Sequence, residues 1–226
     1  MSNSATAKTS TTASSPTSAS SPPSRGSARQ EPIEIVACGA LAAHIRQIAS
    51  RRGWRVIVRP LPAALHNHPQ TIKPHSERLL ATPQTPNSRQ ILAYADCGTY
   101  GALDDLAKTR GVQRLPGLHC YDLYAGHEEI ERLFTEEPGT YLLTDYLIKS
   151  FDRAVIKPLG LDRHPELWKD YFAHYRRLVW LAQTATSELE EAATRIASQF
   201  NLPLQRIDTG TRGLESALEL LIEPPL

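Results

Sequence analysis

The chain has 226 residues and a net charge of +1, from 25 basic and 24 acidic side chains. That balance excludes the basic excess of a nucleic-acid binder and the charge block of a solvated tail. No apolar run approaches the roughly 18 residues a membrane helix needs, so no membrane span is expected.

Residues 1–31 are rich in Ser, Thr, Ala and Pro and poor in large apolar side chains. Such a segment buries too little surface to offset its ordering entropy, so it is expected to be a disordered tail. A transit peptide is the rival reading, because the stretch is poor in acids. Its cations are Lys8, Arg25 and Arg29, without amphipathic spacing, which favours a cytoplasmic protein with a dispensable tail. Residues 32–226 have the length of one domain, since domains usually run about 100–200 residues.

From Pro32 onward, strand and helix signals alternate. Ile33 to Ala37 is a short apolar run, followed by Cys38-Gly39 and a helical pattern to Arg52 that closes at Gly53. Trp54 to Val58 is β-branched and strand-like. A Pro- and His-rich loop, 60–69, leads to a helix over 72–81 and a linker over 83–88. Ile91 to Ala95 is the next strand, then Asp96-Cys97-Gly98-Thr99 and a helix over 100–109. A short strand, 112–115, precedes His119-Cys120 and a helix over 121–134. The remainder reads as strand 140–143, helix 145–156, helix 164–175, strand 178–182, helix 187–200, strand 204–207 and helix 213–221. The alternation predicts an α/β, Rossmann-like fold: a mostly parallel, doubly wound sheet with helices on both faces. Ligands of such sheets bind beyond the carboxyl ends of the strands.

That rule gives the three cysteines their interest. An odd number makes a secreted disulfide framework a poor reading. Cys38, Cys97 and Cys120 each follow a predicted strand, so all three belong to one edge of a parallel sheet. Buried structural cysteines, which behave as small hydrophobes, would scatter over strand interiors and helix faces. A thiol at a helix N-terminus feels the positive end of the dipole, which favours the thiolate. Two metal outcomes suit three thiolates: a zinc site with an open fourth position, or an iron–sulfur cluster with one iron free for substrate. Zinc places the sulfurs roughly 3.7–4 Å apart, from Zn–S bonds of ~2.3 Å. A cubane spreads them to roughly 6–7 Å. Gly39, Gly98 and Thr99, on the same turns, are the candidates for holding a cofactor. The bland alternative is that the glycines only permit tight βα turns.

Around these turns, Ala37-Cys38-Gly39-Ala40-Leu41, Tyr94-Ala95-Asp96-Cys97-Gly98-Thr99 and Leu115-Pro116-Gly117-Leu118-His119-Cys120-Tyr121 resemble the domain of unknown function 1638 family. Arg59-Pro60-Leu61-Pro62, Leu65-His66-Asn67, Glu137-Pro138-Gly139-Thr140-Tyr141, Leu143-Thr144-Asp145, 159–167 and 175–179 extend the resemblance, which runs from about Ile33 to the C-terminus. It implies no activity. Its relatives in anaerobes are associated with corrinoid methyltransferase systems, the one functional setting it suggests.

His66, Asp96 and His119 are the candidates for proton transfer, expected to border the same cavity as the sulfurs. For Asp96 the alternative is a turn-forming carboxylate. For His119, adjacency to Cys120 turns the two side chains apart. Thr144 reads as a helix cap, and Asp162 with Arg163 as a cap and surface ion pair. No dinucleotide fingerprint, phosphate-binding loop, nucleophile elbow or paired-cysteine zinc ribbon is present. Three functions remain open: a metal enzyme with Cys38, Cys97 and Cys120 as ligands of an iron–sulfur cluster or zinc; a metal-free enzyme with Cys97 as nucleophile and His66 or His119 as base; and a non-enzymatic metal or small-ligand binder. The expected partner is a small-molecule substrate, with no nucleic acid and no membrane; a protein partner is not identified.

Overall fold

In the computed structural model, the described residues are Met1 and 31–223. The expected disordered tail therefore lies outside the described residues, apart from its two ends. Residues 31–223 belong to one compact unit.

Every described strand pairs in parallel, as the alternating pattern predicts. The strands divide into two sheets instead of one continuous sheet. The first has the order β2-β1-β3-β4, with β1 Ile33–Cys38, β2 Val56–Leu61, β3 Gln90–Ala93 and β4 Gln113–Arg114. Its helices are α1 Ala42–Arg52, α2 Ile72–Ala81, α3 Ala102–Arg110 and α4 Cys120–Ala125. After α5 His127–Glu136, the second sheet has the order β5-β6-β7, from β5 Thr140–Thr144, β6 Arg177–Ala182 and β7 Leu204–Asp208. Its helices are α6 Asp145–Phe151, α7 Trp168–Phe172 and α8 Ser187–Phe200.

Local chemistry explains these boundaries. Gly53 ends α1 at φ +69°, donating its N–H to Ala49 and Ser50 carbonyls. Pro60 lies within β2, where it is tolerated because β2 is an edge strand. Thr144 caps α6 and Thr186 caps α8, each accepting from the backbone N–H three residues on. Asn201 closes α8 in the left-handed region at φ +52°.

Three expected helices are interrupted. Gly126, at φ +85°, divides the stretch 121–134 into α4 and α5. The helix over 145–156 stays α-helical to Phe151 and then widens to a π-helix over Asp152–Ile156. The helix over 164–175 reduces to a 3₁₀ turn, Pro165–Leu167, and the five residues of α7.

The first core packs Ile35, Ile45, Ile48, Leu92 and Leu103 around β1 and β3. The final helix, α9 Arg212–Ile222, follows the second sheet yet contributes Leu214, Leu218 and Leu221 to this first core. Gly213 permits that docking, since a Cβ there would meet the Leu123 carbonyl at 2.5 Å. The second core gathers Trp180, Phe151, Phe172 and Phe200, with Phe172 and Phe200 ring centroids 4.6 Å apart. No helix among the described residues is long and apolar enough to cross a membrane.

Candidate active site

The turns after β1, β3 and β4 deliver the three cysteines to the carboxyl end of the first sheet. Cys38 is the last residue of β1 and is buried. Gly39 lets the chain leave β1 tight against β2: a Cβ there would lie 2.5 Å from the Leu61 carbonyl oxygen. Cys97 is buried and holds φ at +51°, a left-handed conformation that costs a side-chain-bearing residue energy. The amides of Asp96 and Cys97 donate to the carbonyls of Gly117 and Leu118, at 3.0 and 2.7 Å. Those bonds stitch the Cys97 turn to the loop leading to Cys120. Cys120 itself is the first residue of α4, half-buried. All three thiols are free.

His66 comes from the 3₁₀ turn Ala63–Asn67 after β2. Its Nδ1 donates to the Ala63 carbonyl at 2.8 Å, which aims Nε2 at the Cys38 Sγ, 3.9 Å away. Burial alone would lower the imidazole's pKa. Hydrogen bonding and charge from Cys38 and Cys97 outweigh it and push His66 up to about 11. The proton of this cluster therefore resides on the ring across the neutral range. Burial first, then the charges of Cys38 and Cys97, hold the Cys120 thiol well above its ordinary value. The three sulfurs thus lie within range of one another's charge.

Tyr94, which ends the apolar run of β3, is 0% exposed and stacks on His66 at 5.9 Å between centroids. By geometry its hydroxyl makes no hydrogen bond among the described residues, although the Cys38 sulfur lies close enough to act on it. Burial, then the charge of Cys38, raises its pKa, with further contributions from Cys97 and Cys120. The sequence shows Tyr94 only as part of a core strand. The signal available there is chemical: a buried tyrosine hydroxyl ordinarily finds a partner.

The expected site residues separate into two groups. Cys38, Cys97, Cys120 and His66 come together. Asp96 does not border the cavity beside Cys120, a correction to its expected place. Its carboxylate turns into its own loop, accepting from the Thr99 hydroxyl and the Tyr100 and Gly101 amides. Burial opposes its ionisation, but those bonds and the Arg114 charge hold its pKa below the usual value. Thr99 is occupied in the same turn, and Gly98, at φ +78°, packs on Pro69. His119 is also corrected: it is exposed, stacks on Tyr121 at 6.4 Å, and lines a surface cleft beside Asp122 and His127 instead. As residue preceding the first turn of α4, it points away from Cys120. Asp162 and Arg163 pair with each other at 3.8 Å on the surface.

Cys120 and His66 open on a cavity of about 490 Å³ at the carboxyl ends of β1, β2, β4 and β5. Asn67, Tyr121, Tyr141, Thr144, Tyr146 and Arg153 are its other polar lining residues. A larger cavity, about 570 Å³, lies against Phe151, Ile156, Trp168 and Ile196 and contains neither thiol nor imidazole. The chemistry belongs to the smaller one, whose size suits a small organic ligand. Among the described residues, no group of three or more His, Cys, Asp or Glu is drawn together as a ready metal-ligand set.

A family model described as "Protein of unknown function (DUF1638)" matches residues 60–218. That stretch includes His66, Tyr94, Cys97 and Cys120; Cys38 precedes it. No curated protein and no solved structure matches the chain.

Proposed function

The chain belongs to the domain of unknown function 1638 family, and we propose that it is an enzyme using a sulfur–imidazole site on a small molecule held beside Cys120. The observation that carries this reading is the 3.9 Å contact between buried Cys38, which lies behind the wall of the 490 Å³ cavity, and His66, which lines it. Hydrogen bonding and charge from Cys38 and Cys97 keep the proton on the imidazole. His66 then presents a fixed positive charge and a proton to the cavity, and Cys120 presents a protonated thiol beside it, so the site offers two proton donors to a bound ligand. Strain at Cys97 fits a functional turn. Three free thiols fit a reducing, cytoplasmic compartment.

The test is iodoacetamide labelling of metal-free protein, followed residue by residue. Cys120 should label first because it alone of the three is half-buried and lines the cavity, and its rate should rise with pH because its thiol is held protonated at neutrality. Equal, slow labelling of all three cysteines would sink the reading.

A second reading is an iron–sulfur cluster on Cys38, Cys97 and Cys120, with one iron open to substrate. The unpartnered Tyr94 hydroxyl favours it, as a donor waiting for an acceptor among the sulfurs. Zinc on the same three cysteines would need the sulfurs closer still, and the absence among the described residues of a gathered set of three or more such ligands supports neither metal. Anaerobic purification separates the readings. Brown protein containing iron favours the cluster; colourless, metal-free protein with a labile Cys120 favours the thiol site.

A further inference from the structure

The cavity beside Cys120 is lined by His66 and Arg153 and by no aspartate or glutamate. Arg153 has no hydrogen-bond or ion-pair partner among the described residues; its neighbour Asp152 is taken by Lys157 at 2.8 Å. The guanidinium is carried on the π-helical turn Asp152–Ile156. Such turns displace one residue from the α-helical ladder and recur at functional sites. Here the turn presents Arg153, Ala154 and Val155 together to the cavity. The same cavity is lined by Tyr121, Tyr141 and Tyr146, whose hydroxyls make no hydrogen bond among the described residues. The remaining wall is largely apolar, from Ala40, Pro62 and Leu147.

We infer that the substrate is a small anion: a carboxylate or phosphate on an apolar or aromatic body. Arg153 receives the anionic oxygens at the cavity mouth, where a planar guanidinium matches either group in a two-pronged bond. The tyrosine rings flank the body and direct its other end toward Cys120. An acidic ligand meets no repulsive carboxylate on the way in, whereas a cationic ligand meets the positive charges of Arg153 and His66. This assignment rests on the proposed sulfur–imidazole site for the direction of binding, but the anion contact stands on Arg153 alone.

The test is calorimetric titration of the full chain with benzoate, inorganic phosphate and benzamide, alongside protection of Cys120 from iodoacetamide. Benzoate should bind and slow alkylation, and neutral benzamide should do neither. Arg153→Gln should weaken benzoate by about tenfold or more, the scale of one charge-assisted hydrogen bond, and Arg153→Lys should restore part of the loss. Phosphate binding that depends on Arg153, with benzoate inert, assigns a phosphorylated substrate in place of a carboxylate. Anions that bind no better than benzamide, or that are indifferent to Arg153→Gln, overturn the inference. Cys38→Ser keeps Arg153 in place and should retain benzoate affinity. Retained binding with native-like labelling of Cys120 in that variant would count against the sulfur–imidazole site and leave the anion contact standing.

Discussion

Each sheet carries a buried polar cluster at its carboxyl end, and the two are built on opposite terms. At the second sheet, Asp145 is 2% exposed and saturated: it accepts from Trp180 Nε1 at 2.9 Å, the Gln183 amide at 3.2 Å and the Thr184 amide at 2.7 Å. Gln183 Oε1 in turn accepts from the Asp145 amide, and its Nε2 donates to the Leu181 carbonyl. At the first sheet, the Tyr94 hydroxyl makes no hydrogen bond by geometry among the described residues, Cys97 is strained, and two thiols, Cys38 and Cys97, act on one imidazole. Buried polar groups are ordinarily satisfied, so an unsatisfied cluster needs a reason. The saturated cluster ties β5 to β6 and stabilises the fold. The unsaturated one keeps donors and a charge in reserve for a ligand.

Mutation should expose that difference, most strongly at the saturated end. Asp145→Ala strands three donors in the interior, at about 1–3 kcal/mol each if none finds water. A loss of roughly 3–5 kcal/mol is expected in urea denaturation, without any change in the reactivity of Cys120. A loss below about 1 kcal/mol would remove the structural half of the comparison.

Glu34 and Arg59 offer a structural pair within the first sheet itself. Glu34 is 0% exposed, accepts from Arg59 at 3.0 Å and from the Thr85 amide at 2.6 Å. Burial opposes ionisation, but those hydrogen bonds and the Arg59 charge hold its pKa below the usual 4.5. A lowered folded value means stability that is present above about pH 4.5 and lost as pH falls through the folded value. Arg59→Met should cost about 3 kcal/mol by leaving a buried carboxylate unpaired. It should also shrink that acid-range dependence, because the Thr85 amide remains as the main group holding the pKa down against burial, read from melting temperatures between neutral pH and the acid limb.

At the unsaturated end the expected stability effects are smaller and the functional ones larger. Cys38→Ser should change stability by about 1 kcal/mol or less while lowering the His66 pKa, since the ring loses one of the two sulfurs that hold its proton. Tyr94→Phe removes a hydroxyl that has no partner, so it should be neutral or stabilise by about 1 kcal/mol. It should nevertheless impair turnover or ligand binding at the cysteines. Destabilisation beyond about 2 kcal/mol would show that the hydroxyl is satisfied in solution and return Tyr94 to the ordinary core.

Much of this molecule is legible in the chain. The helices 72–81 and 187–200 match their observed bounds, because apolar periodicity and clear ends coincide there. The βα turns place the three cysteines on one edge because parallel strands impose it. What local pattern lacks is long-range pairing: nothing in the strands from β5 onward forbids a continuous sheet, and the division appears only in three dimensions. His66 and His119 look alike as loop histidines, and the direction of each ring is set by a hydrogen bond or a cap that spacing does not specify. Arg153 reads as a surface residue of a regular helix, since a π-turn leaves no mark on periodicity. Tyr94 reads as core because its ring is core; only its hydroxyl is exceptional.

The central claim is that the cysteines and His66 form one charged unit. Nitrogen-15 NMR of the imidazole in metal-free protein at pH 8 tests it most directly. The account predicts that His66 carries protons on both ring nitrogens, and that Cys38→Ser combined with Cys97→Ser converts it to the neutral ring. A neutral His66 in the native protein at pH 8, or a ring indifferent to both cysteine substitutions, would contradict it.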